Sequence, residues 1–181
     1  AKSISQSLTK EAIAIKANDN IQDLNQKISS DCTIEIITKK SPEALEIVRH
    51  DAAHIMAEAV QYHFPETKVT IGPPIKDGFY YDFDREQSFT PEDFIKIVKK
   101  MNQIIKENKP FIRQVLTKKQ AIKIFTEKKE IFKVELIKDL DQNQELTIYK
   151  QGKWFDLCKG PHSPSTGFVG NSFKLLKLSG A

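Results

Sequence analysis

Between positions 45 and 59 the main apolar stripe is Leu45, Val48, Ala52, Ile55, Met56 and Ala59. That spacing follows the turn of a helix with one face on a core. Ser41-Pro42-Glu43 stands just ahead of it. Serine suits an N-cap, proline the first turn, and an acid the positive helix end. The helix is predicted to run to about His63, just before Phe64-Pro65. Thr90-Pro91-Glu92-Asp93 opens a second helix that ends near Asn108-Lys109-Pro110. Thr117 followed by Gln120 gives a capping-box signal for a third, lysine-rich helix. Gly72-Pro73-Pro74 reads as a turn, and 78–83, rich in aromatics, as a strand. Further strands are predicted over 132–137, 146–150 and 154–158, followed by a rigid loop over 160–164.

Residues 1–40 read differently. A short helix over 1–10 and strands over 12–15 and 33–37 are too little to stand alone. This piece leans on the rest of the chain, or lacks an upstream portion. The fold class is therefore α+β. A small incomplete module (1–40) precedes a larger unit (41–181), whose mostly antiparallel sheet packs against helices.

Composition narrows the function classes. The chain has 181 residues, 39% of them apolar, enough for a real core. No apolar run approaches the roughly 18 residues needed to cross a bilayer, and the start lacks the apolar segment of a signal peptide. Two cysteines, Cys32 and Cys158, are too few for a disulfide framework and suit a reducing cytoplasm. A net charge of +4 permits a polyanionic partner without demanding one. Only three of the 28 basic residues are arginine, so the lysine excess is weak evidence by itself.

Chemistry concentrates in two short stretches. His50 and His54 lie one helical turn apart, so both imidazoles share a face, roughly opposite the apolar stripe. Cys158-Lys159-Gly160-Pro161-His162 adds a thiol and a third imidazole on a stiff backbone. The chain has four histidines, and three of them fall here, beside one of its two cysteines. Such a set suits a tetrahedral zinc site. It equally suits a metal-free hydrolytic pocket in which imidazoles move protons near neutral pH. Two surface histidines and a buried structural thiol are the plain alternative. Asp156 shares a strand face with Cys158, placing it to orient a histidine or hold a substrate amine. Lys133 and Tyr81 do not stand out by chemistry alone.

Arg49-His50-Asp51-Ala52-Ala53-His54, Ile71-Gly72-Pro73-Pro74, Gly78-Phe79-Tyr80-Tyr81-Asp82 and Asp156-Leu157-Cys158-Lys159-Gly160-Pro161-His162 occur in that order. Over about residues 41–178 this pattern resembles the second additional domain of bacterial threonyl-tRNA synthetases, shared with alanyl-tRNA synthetases. Its aromatic strand and Cys-x-Gly-Pro-His segment point to the threonyl branch. Residues 1–40 resemble the second half of a ubiquitin-like, β-grasp TGS domain. The class II catalytic domain, with its ATP and zinc, is expected to lie outside these residues.

The resemblance implies an editing pocket lined by His50, His54, Cys158 and His162. It also lifts Lys133, Asp156 and Tyr81 to pocket residues, with Gly72 letting the backbone approach the tRNA terminus closely. The implied task is hydrolysis of serine wrongly esterified to tRNA(Thr). Threonine exceeds serine by one methyl group, which a charging site discriminates by only about 1–3 kcal/mol. A second pocket is then chemically sensible. The expected reaction uses an activated water: His50 as base or orienter assisted by Lys133, and Asp156 on the serine amino group or hydroxyl. His162 and Tyr81 would place the terminal adenosine, while His54 and Cys158 would shape the pocket, Cys158 not as nucleophile. No metal is required in this reading, although zinc at His50, His54, Cys158 and His162 stays open. The expected partner is tRNA(Thr), with neither DNA nor membrane, in a parent enzyme that dimerises through domains elsewhere. The competing readings are a free-standing zinc-dependent deacylase of the alanyl type, a non-catalytic tRNA-binding module and a zinc-stabilised structural domain.

Overall fold

A short helix, α1 (Gln6–Glu11), is capped by the Ser5 side chain, which accepts the Leu8 N–H. The chain then alternates into β1 (Ala12–Ala17), turns tightly into β2 (Asn20–Asp23), and returns as β3 (Ile34–Thr38). These strands form an antiparallel sheet in the order β2-β1-β3. The computed structural model describes residues 5–141 and 144–179, so positions 1–4 of the expected first helix fall outside it. The sheet's apolar face, Ile13, Ala14 and Ile37, packs on Ala44 and Ile47 of the next helix. That contact is how so small a sheet is stabilised: it leans on its neighbour.

Helix α2 (Ala44–His63) is the axis of the molecule. Its start departs from expectation. The Ser41 side chain accepts the Thr38 N–H at 3.0 Å, closing the turn after β3, and Glu43 stands at the N-cap without a side-chain hydrogen bond. The expected one-sided stripe is also too simple. Leu45 is 54% exposed, whereas Asp51 through Ala57, His54 included, are buried on every side. Helix α3 (Pro91–Glu107) begins with the Thr90–Asp93 capping box and packs along α2 through Ile97, Met101 and Ile104.

The aromatic stretch 78–83 is not one strand. β4 (Lys68–Val69) pairs with β7 (Phe83–Asp84), and β5 (Pro74–Ile75) forms a hairpin with β6 (Gly78–Phe79). Between β6 and β7 the Asp82 N–H donates to the Ile71 carbonyl. This geometry turns Tyr81 inward, 7% exposed. Arg49 on α2 ties the hairpin down, donating to the Lys76 carbonyl at 2.6 Å.

The second sheet is antiparallel, in the order β10-β9-β8. It comprises β8 (Phe111–Leu116), β9 (Leu146–Gln151) and β10 (Trp154–Leu157). Strand β8 was not among the sequence expectations, because polar Arg113 and Gln114 interrupt its apolar run. Helix α4 (Lys118–Glu127) carries the expected Thr117–Gln120 capping box. The expected strand over 132–137 is instead helix α5 (Ile131–Asp139). Phe132, Val134 and Leu136 alternate with Lys133 and Glu135 like a strand, but the buried residues are Lys133 and Ile137. They are four apart, the spacing of one helical face. A 3-10 turn (Thr166–Val169) closes the far end of α2 and α3.

Candidate active site

A cavity of about 520 Å³ opens between α2, the β5–β6 hairpin, α5 and the end of β10. His50, His54, Tyr81, Lys133, Asp156 and Cys158 all line it. Six of the seven residues whose side chains were assigned to the pocket, by chemistry or by the family resemblance, thus converge from separate elements of the chain. The seventh, His162, is 2% exposed and sits behind Cys158, away from that lining. Its ring packs against those of its neighbours.

One wall is built of imidazoles and a thiol. Cys158 Sγ lies 3.3 Å from His50 Nε2 and 3.3 Å from His162 Nε2, and accepts the Gly160 N–H at 3.2 Å. The ring centroids of His50 and His54 are 4.9 Å apart, and each lies 4.4 Å from that of His162. Burial holds the His50 imidazole down to about 4, with His162 nearby acting in the same direction. Burial also lowers His162 to about 3 and His54 well below the usual range, and raises the Cys158 thiol. The wall is therefore neutral at pH 7. A thiol held in its protonated form is a poor nucleophile, in keeping with a supporting role for Cys158. The Cys158 backbone N–H donates to the Thr147 carbonyl, anchoring the loop to β9.

Asp51 stands behind this wall. Fully buried, it accepts from His162 Nδ1 at 2.7 Å and from the Ser163 N–H. The contact fixes the tautomer and leaves His162 Nε2 facing the sulfur. Burial raises the Asp51 carboxyl to about 7. Sequence reasoning passed over this residue, yet a signal existed. Val48 and Ile55, three before and four after, both belong to the predicted apolar stripe. An acid on a core-facing stripe needs a polar partner.

A second part of the lining is charged. Lys133 Nζ lies 2.9 Å from Asp156 Oδ1 and 3.1 Å from Oδ2, with both residues at most 2% exposed. The Tyr81 hydroxyl donates to Asp156 Oδ2 and accepts from Lys133 Nζ at 3.2 Å. The Leu157 N–H donates to Asp156 Oδ1 at 2.8 Å. Both carboxylate oxygens are already engaged, which weakens the expectation that Asp156 grips a substrate amine. Gly72 has its own explanation. A Cβ there would overlap the Tyr81 ring and lie 2.8 Å from the Tyr80 carbonyl. Its missing side chain makes room for Tyr81, whatever the backbone meets on its other side.

His50, His54, Cys158 and His162 each offer one ligand atom, all within 4.8 Å of one another. Three imidazoles and one thiolate suit zinc chemically. His54 Nδ1 is buried without a hydrogen-bond partner, and Asp51 backs His162 as a carboxylate backs a metal-bound histidine. The residues present fit the ion.

Comparison with known proteins settles the ancestry. Residues 146–181 match the family described as threonyl and alanyl tRNA synthetase second additional domain. All 181 residues align with the threonine–tRNA ligase of Bartonella quintana (strain Toulouse) at 55% identity, covering 28% of that protein. The corresponding ligase of Gluconobacter oxydans (strain 621H) is 52% identical, with 28% covered. That of Rhizobium etli is 54% identical, with 27% covered. The whole chain is homologous to a segment of bacterial threonine–tRNA ligases. It spans less than a third of the length of these relatives. Among the described residues, no helix is long and apolar enough to cross a membrane.

Proposed function

We propose that the cavity hydrolyses the ester of serine misattached to tRNA(Thr), using an activated water. The carrying observation is the meeting, in one cavity, of a neutral imidazole (His50) with a buried lysine–carboxylate pair (Lys133 and Asp156). Support comes from the homology to threonine–tRNA ligases. In this reading residues 1–40 form part of a β-grasp module and 41–181 the editing unit. The cytoplasm is the working compartment, and the partner is tRNA(Thr).

His50 is the base or orienter for the water. Its lowered proton affinity keeps the ring unprotonated at neutral pH while making it a weaker base than an ordinary histidine. Lys133 Nζ polarises the developing oxyanion, held in place by Asp156 and Tyr81. Cys158 and His162 fix the His50 ring, and His54 fills the floor of the pocket. The serine ester, smaller than threonine by one methyl, fits where threonine is too large. The test is deacylation of seryl-tRNA(Thr) by this chain, with threonyl-tRNA(Thr) as control. The reading requires release of serine and retention of threonine; an inert cavity, or equal loss of both, overturns it.

The donor set favours one second reading, a zinc-dependent deacylase. A zinc ion held by His50, His54, Cys158 and His162 would supply Lewis acidity to the ester. Activity that dies with chelator and returns with zinc would select it.

A further inference from the structure

Strand β2 belongs to the small first sheet, yet its last residue reaches the loop behind the cavity. Asp23 Oδ1 accepts the His162 backbone N–H at 2.8 Å, and Oδ2 accepts the Tyr149 hydroxyl at 2.6 Å. Tyr149 is 2% exposed, and its ring centroid lies 4.4 Å from that of His162. Its hydroxyl also presses on Gly160, where φ is +74° and a Cβ would overlap it. One carboxylate thus bridges β9 and the 160–162 loop. Asp51 grips the same loop from α2. A second cavity, about 460 Å³ and lined by Asp23, Phe111, Arg113 and His162, lies behind the loop. Phe111 stacks on the His162 ring there at 4.6 Å, and the carboxylates of Asp23 and Asp51 add the hydrogen bonds that set the loop's position. Bonds to a carboxylate are among the stronger ones.

We propose that Asp23 is a positioning residue of the hydrolytic site. It holds the His162–Cys158 loop so that the sulfur meets His50 at the observed 3.3 Å. This rests on the hydrolytic reading above, and it makes the first sheet a working part of the site. Asp23 does not line the 520 Å³ cavity, so it acts through the loop and not on the substrate.

The test uses the full chain and seryl-tRNA(Thr), with kcat and KM measured separately and folding followed by thermal unfolding. If the wild-type chain releases no serine, the hydrolytic reading itself fails; the comparison of variants is made on an active wild type. Asp23→Ala lowers kcat by about tenfold or more and leaves KM within about twofold, as misplacement of a catalytic group does. Asp23→Asn keeps an acceptor oxygen for the His162 N–H and recovers kcat to within about threefold. Asp23→Glu keeps the charge but sets it one methylene too far, and stays about tenfold down. The Asn and Glu variants decide the matter even where the Ala variant does not fold. Wild-type kcat in Asp23→Ala, equal rates in the Asn and Glu variants, or a loss confined to KM would each overturn the inference.

Discussion

The two walls of the cavity follow opposite electrostatic plans. Around Cys158 the polar groups are neutral, and burial keeps them so: His50 and His162 shed their protons and the thiol keeps its own. Around Asp156 the charges are kept and closed on one another, with lysine, carboxylate and tyrosine hydroxyl each satisfying the next. Removing one member of a closed ionic set strands a buried charge. Removing one neutral imidazole strands much less. The charged wall should therefore matter to stability and chemistry alike, and the neutral wall mainly to chemistry.

The largest effect expected is on the charged wall. Lys133→Met leaves Asp156 buried without its cation and should cost about 3–5 kcal/mol of stability, read by denaturant unfolding. Seryl-tRNA(Thr) turnover should fall to background. The double change Lys133→Met with Asp156→Leu removes both charges and should regain most of the lost stability while remaining inactive. A single variant as stable as the wild type would erase the distinction between the walls.

On the neutral wall the prime target is His50. We expect His50→Ala to lower turnover by about 10²–10⁴-fold, the usual range for a lost general base, with tRNA affinity intact. Stability should drop by about 1 kcal/mol, within the ordinary range for single substitutions. Unchanged hydrolysis would remove His50 from the mechanism. Cys158→Ala sharpens the contrast. A supporting thiol should cost about tenfold or less in turnover, whereas a covalent nucleophile would cost everything. Rapid-quench trapping of an acyl-enzyme separates the same two roles independently: none should accumulate on a supporting thiol.

These contrasts were only partly legible in the chain. Capping chemistry located α3 and α4, because Thr90–Asp93 and Thr117–Gln120 carry local, self-contained hydrogen bonds. Spacing put His50 and His54 on one face opposite the apolar stripe, but that face is not open: His54 is buried. What failed was any position where tertiary contact outweighed local pattern. Lys133 looked like one lysine in a strand, and only the fold shows it turned inward on α5 toward Asp156. Ser41 looked like a helix cap, but the turn after β3 claimed its hydroxyl. Asp51 and Asp23 meet the loop at His162 across 111 and 139 positions of sequence. No local rule reaches that far. The family resemblance found Lys133, Asp156 and Tyr81 as a group without supplying the reason they belong together.

The smallest expected effect concerns pH, and it tests the neutral wall most directly. An ordinary histidine titrates near 6.5, so a base of that kind loses about tenfold in rate between pH 7.5 and 5.5. His50 is lowered to about 4, so the same change should cost less than about twofold. Stability follows its own rule. Between about 6.5 and 4 the unfolded chain takes up protons that the buried His50 and His162 refuse, so stability falls on acidification. Asp51, raised to about 7, acts the other way, because the folded state keeps a proton that the unfolded carboxyl releases. With His54 also lowered, three imidazoles against one carboxyl leave a net acid loss, which thermal unfolding at pH 7 and 5 would register. Single-turnover rates at both pH values, each taken well below the unfolding midpoint, separate the two effects. A rate limb at 6.5 with the fold intact would mean that the ionising base is an exposed group and not the imidazole that Cys158 faces.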